Sequence, residues 1–391
     1  MRGLLRLAIV ILPLGAAAWG AGCHHKTDEV DDTVEAGPDA PTADPPPPPA
    51  ETSTARDCSM DQQADGLYGH LECTGLYSDF AQKTIASGVR PYVPGLQFWS
   101  DGAEKARFLR LPAGAKIDTS NFDEWHWPNG TTVWKEFQVG GKRVETRIYT
   151  KSTNGTWLRT TYRWNGTETD AVRKDAGEKV PQAGKPDYEI PAAGYCDQCH
   201  QGRADALLGL EPVSLGLASA QGVTLASLAA EGLLSNPPPQ TTFAIPEDPA
   251  LDAGLASSAL GWLHVNCGAC HNDSLNATAQ YTNLFFLIKA SQIAADGGAS
   301  AATGLDAYLD AVCQKSKDRT IPDSGPPLVP WTLVAGGDPD ASYVSILSAA
   351  RAQPPDDPNV QNQMPPIITH APDDVGHARL DDWIRALAPC P

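Results

Sequence analysis

The segment HVNCGACHN, residues 264–272, contains the pattern Cys-x-x-Cys-His, and GYCDQCHQG, residues 194–202, contains it a second time. In this pattern the two thiols can bond to the vinyl groups of a haem, and the adjacent histidine reaches the iron from the same helical turn. A single Cys-x-x-Cys pair is also compatible with a redox disulfide or with half of a zinc site. Two copies, each followed at once by histidine, favour covalent haem.

The cofactor prediction is therefore two covalently bound haem c groups. The expected attachment residues are Cys196 and Cys199 in the first motif and Cys267 and Cys270 in the second, with His200 and His271 as the iron ligands. Neither group needs an acid or a base from the protein, so no catalytic residue is assigned.

The residues around the second motif predict a series of helices. The segment ALDAGLASSALGWLHVN, residues 250–266, predicts a helix that ends at the motif. Further on, Asp338 and Pro339 mark the start of a second helix. Met364 follows in the loop QNQMPPI. The apolar side of a last amphipathic helix is formed by Leu380, Trp383, Ile384 and Leu387.

This order of a Cys-x-x-Cys-His motif, a Gly-Asp-Pro helix, a Met-Pro-Pro loop and an aromatic-bearing terminal helix resembles class I cytochromes c. The resemblance extends from about residue 255 to residue 391. It implies that His271 is the proximal iron ligand and Met364 the distal one, a pair that raises the haem reduction potential. No methionine lies between the two motifs, so the haems are expected to share one mainly helical unit, residues 189–391.

The sixth ligand of the first haem iron is left open by the sequence. His264, just before the second motif, and His370, just after the Met-Pro-Pro loop, are candidates, and His126, His70 and Met60 are others. Each of these side chains has an ordinary alternative as a surface or core residue. The remaining possibility is that the sixth coordination position of this iron is open.

Five of the nine cysteines lie outside the two motifs. Cys23 follows small residues in a way that resembles a lipoprotein signal, in which the cysteine is lipidated, and soluble export is the alternative. The other four belong to a chain expected in an oxidising compartment, which suggests the disulfides Cys58–Cys73 and Cys313–Cys390. The alternative is that one or two of these thiols stay reduced and buried.

The N-terminal residues predict export and anchoring. Residues 1–23 have the layout of a bacterial export signal, and residues 24–56 are acidic, rich in proline and nearly free of large apolar side chains, as in a disordered tether. With the lipid anchor as the only membrane attachment, the folded part would lie on the periplasmic face of the cell envelope. The net charge of −18 argues against nucleic acid and favours partners with basic patches.

Residues 57–188 predict an antiparallel β domain. Runs such as TTVWKEFQV and KRVETRIYTKS are rich in β-branched and aromatic residues. The hairpin signals between such runs are Asn129-Gly130, Gly140-Gly141, Asn154-Gly155 and Asn165-Gly166. The tryptophans of this region are expected to pack in the fold, with a sugar-binding platform as the alternative. They are Trp99, Trp125, Trp127, Trp134, Trp157 and Trp164.

The segment QFWSDGAEKARFLRLP, with NGTTVWKEF and ETRIYT after it, resembles the N-terminal part of a family of exported dihaem cytochromes. In that family a β region precedes two Cys-x-x-Cys-His motifs, the second in a context similar to HVNCGACHN. The resemblance covers nearly the whole mature chain. The resemblance implies electron transfer and does not indicate a substrate.

The predicted fold class is α+β, with an N-terminal antiparallel β domain followed by a mainly α, cytochrome c-like dihaem unit. The predicted function is electron transfer between redox partner proteins of the cell envelope. The alternative is a haem enzyme or small-ligand sensor, peroxidase-like or oxidase-like, with an open position at the first haem. A third possibility is that an exposed aromatic cluster of the β domain binds a carbohydrate or another protein.

Overall fold

Antiparallel strands form the N-terminal half of the folded chain. A computed structural model describes residues 56–294, 299–316, 331–351 and 363–391. The strands in this part of the chain are β1 (Tyr77–Asp79), β2 (Thr84–Ile85), β3 (Arg90–Val93), β4 (Glu104–Arg110), β5 (Thr132–Val139), β6 (Lys142–Lys151), β7 (Trp157–Trp164), β8 (Ala171–Arg173), β9 (Glu178–Val180), β10 (Tyr188–Ile190) and β11 (Gln221–Gly222). One seven-stranded sheet has the order β11-β3-β4-β5-β6-β7-β8, with every neighbouring pair antiparallel. The pairs β1–β2 and β9–β10 are separate and small.

Short connections join β5 to β6, β6 to β7 and β7 to β8. Gly140 and Gly141 form the two-residue connection between β5 and β6, and their φ angles are 58° and 74°. Positive φ at both positions is typical of a type I′ turn, which favours glycine because it lacks a Cβ atom. Asn154-Gly155 lies between β6 and β7, and Asn165-Gly166 lies between β7 and β8. The predicted antiparallel β structure is confirmed.

Side chains alternate between two buried faces of the sheet. On one face, which we call the inner face, Leu109 and Tyr149 belong to a core shared with the helices. On the opposite, outer face, Phe108 and Trp134 pack with N-terminal residues such as Leu71. Because both faces are covered, the central strand β5 has no exposed residue.

Eight α-helices occur in the described residues, and most are short. They are α1 (Cys196–His200), α2 (Pro212–Gly216), α3 (Leu225–Ala230), α4 (Leu255–Asn266), α5 (Ala290–Ile293), α6 (Asp306–Leu309), α7 (Tyr343–Ala349) and α8 (Asp374–Ala386). Helix α4 ends immediately before the second motif, as predicted, and it packs against α8. The predicted amphipathic helix α8 is confirmed, since Leu380, Trp383 and Ile384 are fully buried. The helix predicted at Asp338 begins as a 3₁₀ turn, Pro339–Ala341, before α7.

The sheet and the helices share a core. Strand β11 comes from the segment after the first motif and forms the edge of the sheet beside β3, with Gln221 opposite Val93. Leu109 of β4 belongs to the same hydrophobic cluster as Leu260 of α4 and Trp383 of α8. The mixed α+β class is confirmed, and the described residues form one compact unit that continues across residue 188.

The disulfides and the tryptophans stabilise this unit. Cys58 is bonded to Cys73 and Cys313 to Cys390, the same pairs that the sequence suggests. Trp99 and Trp157 are half-buried, and their indole N–H groups donate to Ala371 and Asp205. The other four tryptophans of the β region are buried: Trp125, Trp127, Trp134 and Trp164. These six side chains form no exposed aromatic cluster, so we do not propose a carbohydrate site.

The predicted export signal, Cys23 and the tether as far as residue 55 lie outside the described residues. Arg56, the last residue of the predicted tether, forms ion pairs with Glu72 and Asp170 at 3.4 and 3.2 Å. Among the described residues, no helix combines the length and the apolar character that a membrane span requires.

Candidate cofactor site

One cavity collects the residues of both Cys-x-x-Cys-His motifs. The motif residues in its wall are Cys196, Cys199, His200, Cys267, Cys270 and His271. Met364 lines the same cavity, together with apolar side chains such as Leu284, Phe286 and Leu347. The cavity contains about 2500 Å³ of space free of protein atoms, part of which is open to solvent. The structure thus brings together the seven residues that the sequence predicts as cofactor ligands and attachment points.

The two motifs are in direct contact. The Cys270 thiol lies 3.3 Å from the Gln198 carbonyl oxygen and shares a hydrogen bond with the Cys199 thiol. Gly202 packs so closely on the second motif that a Cβ atom there would lie 2.0 Å from the Ala269 carbonyl oxygen. Groups attached to the two motifs would therefore be neighbours.

The motif thiols differ in acidity. The hydrogen bond from Cys270 and the charges of Arg147 and Lys135 lower the pKa of Cys199 to about 7 against the effect of burial. The same hydrogen bond, with burial, raises the pKa of Cys270, and burial raises the pKa of Cys267 to about 12. Of these three thiols, Cys199 has the largest thiolate fraction at neutral pH.

His200 is held in the tautomer that leaves the Nε2 lone pair available. Its Nδ1 donates a hydrogen bond to the Ala206 carbonyl, because a carbonyl oxygen can only accept. The imidazole stacks on Tyr149, with the ring centroids 4.3 Å apart and an interplanar angle of 18°. Burial and the charge of Lys135 lower the pKa of His200 to about 3, so the ring is neutral at neutral pH. A neutral, oriented imidazole is what an iron ligand requires.

His271 has a similar environment. Burial lowers its pKa to about 4, and a hydrogen bond to the Leu284 backbone acts in the opposite direction. Thr282 Oγ1 lies 3.5 Å from Nδ1, and the centroid of the Phe286 ring lies 5.9 Å from that of the imidazole. The segment after the second motif therefore supports this ring, and both motif histidines are half-buried and neutral.

Met364 lies in the wall of the cavity that also contains His271. Its backbone N–H donates to the Leu347 carbonyl at 2.8 Å, which joins the Met-Pro-Pro loop to helix α7. Ligation of the His271 iron by Met364 stays a prediction.

The two histidines named as ligand candidates for the first iron have other partners. His264 is buried, its Nδ1 accepts from the Ile288 N–H at 2.9 Å, and its Nε2 lies 3.4 Å from Glu211 Oε1. His370 Nε2 lies 2.6 Å from Glu189 Oε2. Neither ring is part of the cavity wall. The imidazoles of His264 and His370 are therefore hydrogen-bonded to other groups, and ligation of the first iron by either of them stays a prediction.

The other candidates are no closer to the cavity. His70 Nδ1 lies 2.6 Å from Asp61 Oδ1, and His126 is exposed. Met60 is 89% exposed. None of these three side chains lines the cavity.

The side chains that the sheet contributes to the cavity are not predicted by any sequence motif. They are Tyr149 and the basic residues Lys105, Arg107, Lys135 and Arg147. All of them lie on the inner face of β4, β5 and β6. One signal in the sequence could have identified these side chains. The strands carry basic residues at positions that, by the alternation of side chains along a strand, would be expected to face the core.

Glu211 links the buried His264 to helix α2, and its loss has a predictable effect on stability. Burial raises the pKa of this carboxyl, but hydrogen bonds from His264 and Ser214 and the charge of Arg203 outweigh burial and hold the pKa at about 2. The carboxylate also caps α2 by accepting from the N–H groups of Val213 and Ser214.

We expect Glu211→Gln to lower the free energy of unfolding at neutral pH by about 2–3 kcal/mol. Because the folded-state pKa lies below the ordinary value, this stabilisation is complete above pH 4.5 and disappears as the pH falls towards about 2. Urea unfolding of both proteins across this range measures it. The control is Glu231→Gln, whose carboxylate is about half exposed and pairs with Arg90. An equal loss for both variants, or a difference independent of pH, would contradict the assignment.

Comparisons with protein-family models, with curated proteins and with solved structures found no match to this chain. Within the described ranges, no three or more His, Cys, Asp or Glu side chains are grouped closely enough to share a metal ion.

Proposed function

We propose that this protein is a c-type cytochrome that holds two covalently bound haems and transfers electrons. The observation that carries the proposal is the convergence of two adjacent Cys-x-x-Cys-His motifs on one largely apolar cavity. The rate of electron transfer falls steeply with distance. Cofactors attached to two motifs in contact would therefore exchange electrons rapidly.

The residues present fit haem in three respects. The four motif cysteines are free thiols, and both motif histidines are half-buried and neutral. The wall offers apolar side chains to a porphyrin. Several polar atoms of the wall are buried without a hydrogen-bond partner among the described residues, and polar groups of a cofactor would satisfy them. These atoms are Arg107 Nη2, Ser316 Oγ and Arg351 Nε.

When bound, each haem supplies a reversible one-electron change at its iron. The chain attaches the cofactors through the cysteines and presents Nε2 of His200, whose ring is oriented by the Ala206 carbonyl and by Tyr149. The apolar side chains of the wall would pack against the porphyrin. Met364 would raise the reduction potential of the iron on the His271 side.

The proposal includes the cellular location. We infer that the chain is exported, that Cys23 carries a lipid, and that the folded part works on the periplasmic face of the cell envelope. The redox partners would be envelope proteins with basic patches, because the chain has a net charge of −18.

A haem enzyme or small-ligand sensor is the second candidate, and the supply of iron ligands favours it. Among the described residues the cavity wall contains two histidines and one methionine, and the internal segments outside them contain neither residue type. If Met364 coordinates the iron bound by His271, the cavity wall has no further histidine or methionine to coordinate the iron bound by His200. An open position there would bind small ligands.

Optical and EPR spectra of the purified protein, with and without carbon monoxide, test both functions. Electron transfer alone predicts two low-spin haems that do not react with carbon monoxide. A high-spin signal that binds carbon monoxide would favour the enzyme or sensor. Recovery of the exported protein without covalent haem would contradict both functions.

We expect Met364→Leu to lower one of the two midpoint potentials by on the order of 0.1 V and to leave the other nearly unchanged. The physical reason is the loss of a thioether ligand that stabilises the reduced iron. A redox titration followed optically measures both potentials. Met60→Leu is the matched control, because that side chain is 89% exposed. Unchanged potentials in Met364→Leu would rule out methionine ligation.

A further inference from the structure

A row of basic side chains crosses the inner face of the sheet. Arg107 of β4 is directly opposite Lys135 of β5, and Lys135 is directly opposite Arg147 of β6. Directly opposite residues point to the same face with Cβ atoms about 5 Å apart. Lys105, two residues before Arg107 on β4, extends the row on the same face. Four cationic groups thus stand side by side in the cavity wall.

This face of the sheet is otherwise an interior surface. Leu109, two residues after Arg107, and Val133, two residues before Lys135, both belong to the core shared with the helices. Tyr149, two residues after Arg147, stacks its ring on the imidazole of His200. Apolar side chains would be expected at the positions of the row, since like charges directly opposite each other are destabilising.

Only one member of the row has a carboxylate partner in the part of the chain that the structure describes. Arg147 binds Glu145 through two hydrogen bonds of 2.6 and 3.0 Å. Arg107 is 4% exposed, and its Nη2 is buried without a hydrogen-bond partner. Lys135 contacts the Phe98 ring, with Nζ 5.5 Å from the centroid. Lys105 donates to the Phe98 carbonyl and to Ser100 Oγ, which are neutral acceptors.

The charges of the row weaken one another. Burial, with repulsion from Arg107 and Arg147, lowers the pKa of Lys105 and of Lys135 to about 7. Burial also lowers the pKa of Arg107. Buried cations without a counter-ion are destabilising, and one or two negative charges beside them would remove the repulsion and satisfy the orphaned guanidinium atom.

We propose that Lys105, Arg107 and Lys135 form an anion-binding site for carboxylate groups, and that haem propionates occupy it in the loaded protein. The choice of propionate rests on the proposed function. A guanidinium fork between two ammonium groups matches the planar, two-oxygen geometry of a carboxylate. A small oxyanion from solvent has the same chemistry and is the other source. In either case the sheet is part of the cofactor site, because its cations control the electrostatic potential in the cavity.

Redox titration of the haem-loaded variants Arg107→Met and Lys135→Met tests this site. With both haems retained, we expect each variant to lower at least one midpoint potential, because loss of a nearby cation destabilises the reduced iron. Lys142→Met is the matched control: it removes the same charge from the exposed start of β6, outside the cavity. Arg107→Lys keeps the charge and should recover most of the shift. If Arg107→Met fails to fold, the test is made with Lys135→Met, because Lys135 is only half-buried.

A phosphate titration at constant ionic strength distinguishes the two sources of the anion. Wild-type potentials that do not respond to phosphate, together with shifts in the cavity variants, support haem propionates. Wild-type potentials that respond to phosphate, with no response in Lys135→Met, support a free oxyanion. Shifts in the cavity variants no larger than in Lys142→Met, with no phosphate response, would overturn the site.

Failure of the proposed function would be recognised separately, from the absence of covalent haem in the wild-type protein. The anion site would then be tested on the haem-free chain by the effect of phosphate on its thermal unfolding midpoint. A stabilisation that is lost in Lys135→Met but kept in Lys142→Met supports a site for free oxyanions. Absence of any stabilisation in the wild type overturns it.

Discussion

Replacing both cysteines of the first motif, Cys196→Ala with Cys199→Ala, is expected to reduce covalent haem from two groups per chain to one. The thioether bonds are the only covalent link that the motif can make, and His200 alone would hold the porphyrin reversibly. The mass of the denatured chain and the pyridine haemochrome spectrum measure the stoichiometry. The corresponding double variant of Cys267 and Cys270 should also retain one haem, and removal of all four cysteines should leave none.

The matched control removes two cysteines that lie elsewhere. Cys58→Ala with Cys73→Ala opens a disulfide with a sequence separation of 15 residues. It should therefore keep two haems while the free energy of unfolding falls by about 3 kcal/mol. Two haems retained after loss of Cys196 and Cys199, or loss of both haems in the disulfide variant, would contradict the assignment of attachment sites.

The second large effect is expected from Gly202→Ala, because this glycine, two residues after the first motif, packs against the backbone of the second motif. A Cβ atom at residue 202 would lie 2.0 Å from the carbonyl oxygen and 3.2 Å from the carbonyl carbon of Ala269. Both are backbone atoms that cannot rotate away. The Asn272 amide, which donates to the Ala269 carbonyl at 3.1 Å, would lose its geometry as well.

We expect Gly202→Ala to lower the free energy of unfolding by about 3 kcal/mol, at the upper end of overpacking effects. Because the two motifs must separate, the redox interaction between the haems should also weaken. Chemical unfolding and a redox titration measure the two effects. Gly194→Ala is the control, since no atom lies within 4 Å of its ideal Cβ position. Similar stabilities for the two variants would show that the motifs are not held in contact at Gly202.

The two functions proposed above differ in what they require of the cavity. Electron relay needs two cofactors close together, which the contact between the motifs would provide. An enzyme or sensor needs in addition an open iron position and access for a small molecule. The cavity volume includes space that is open to solvent, so the cavity is not sealed from small molecules. The carbon monoxide experiment therefore decides between them.

The features that the sequence predicted well are those set by short-range rules. Alternating runs and Gly-Gly or Asn-Gly turns predict strands and hairpins because a strand has a period of two and these turns need positive φ. The helix before the second motif and the terminal helix α8 follow from apolar spacing. The disulfide pairs were also predicted, because four thiols were left after the motifs and the signal were accounted for, and the two that are close in sequence, Cys58 and Cys73, were paired with each other.

The positions of the ligand candidates depended on distant parts of the chain. His264 lies only three residues before Cys267, which made it a plausible ligand. Its orientation is set by Ile288 and Glu211, which are 24 and 53 residues away in sequence. No local pattern contains these partners, so the sequence alone could not predict which groups orient this imidazole.

The sequence by itself determined the residues on which the proposed chemistry depends: two Cys-x-x-Cys-His motifs, a methionine in a proline loop, and the elements that carry them. Only the tertiary structure decided that the motifs touch at Gly202 and Ala269 and that one cavity contains both. It also decided that the sheet lines that cavity with Lys105, Arg107 and Lys135. The physical reason is that attachment chemistry resides in a pentapeptide, whereas contact, burial and electrostatic potential arise from strand register and from the packing of segments far apart in the chain.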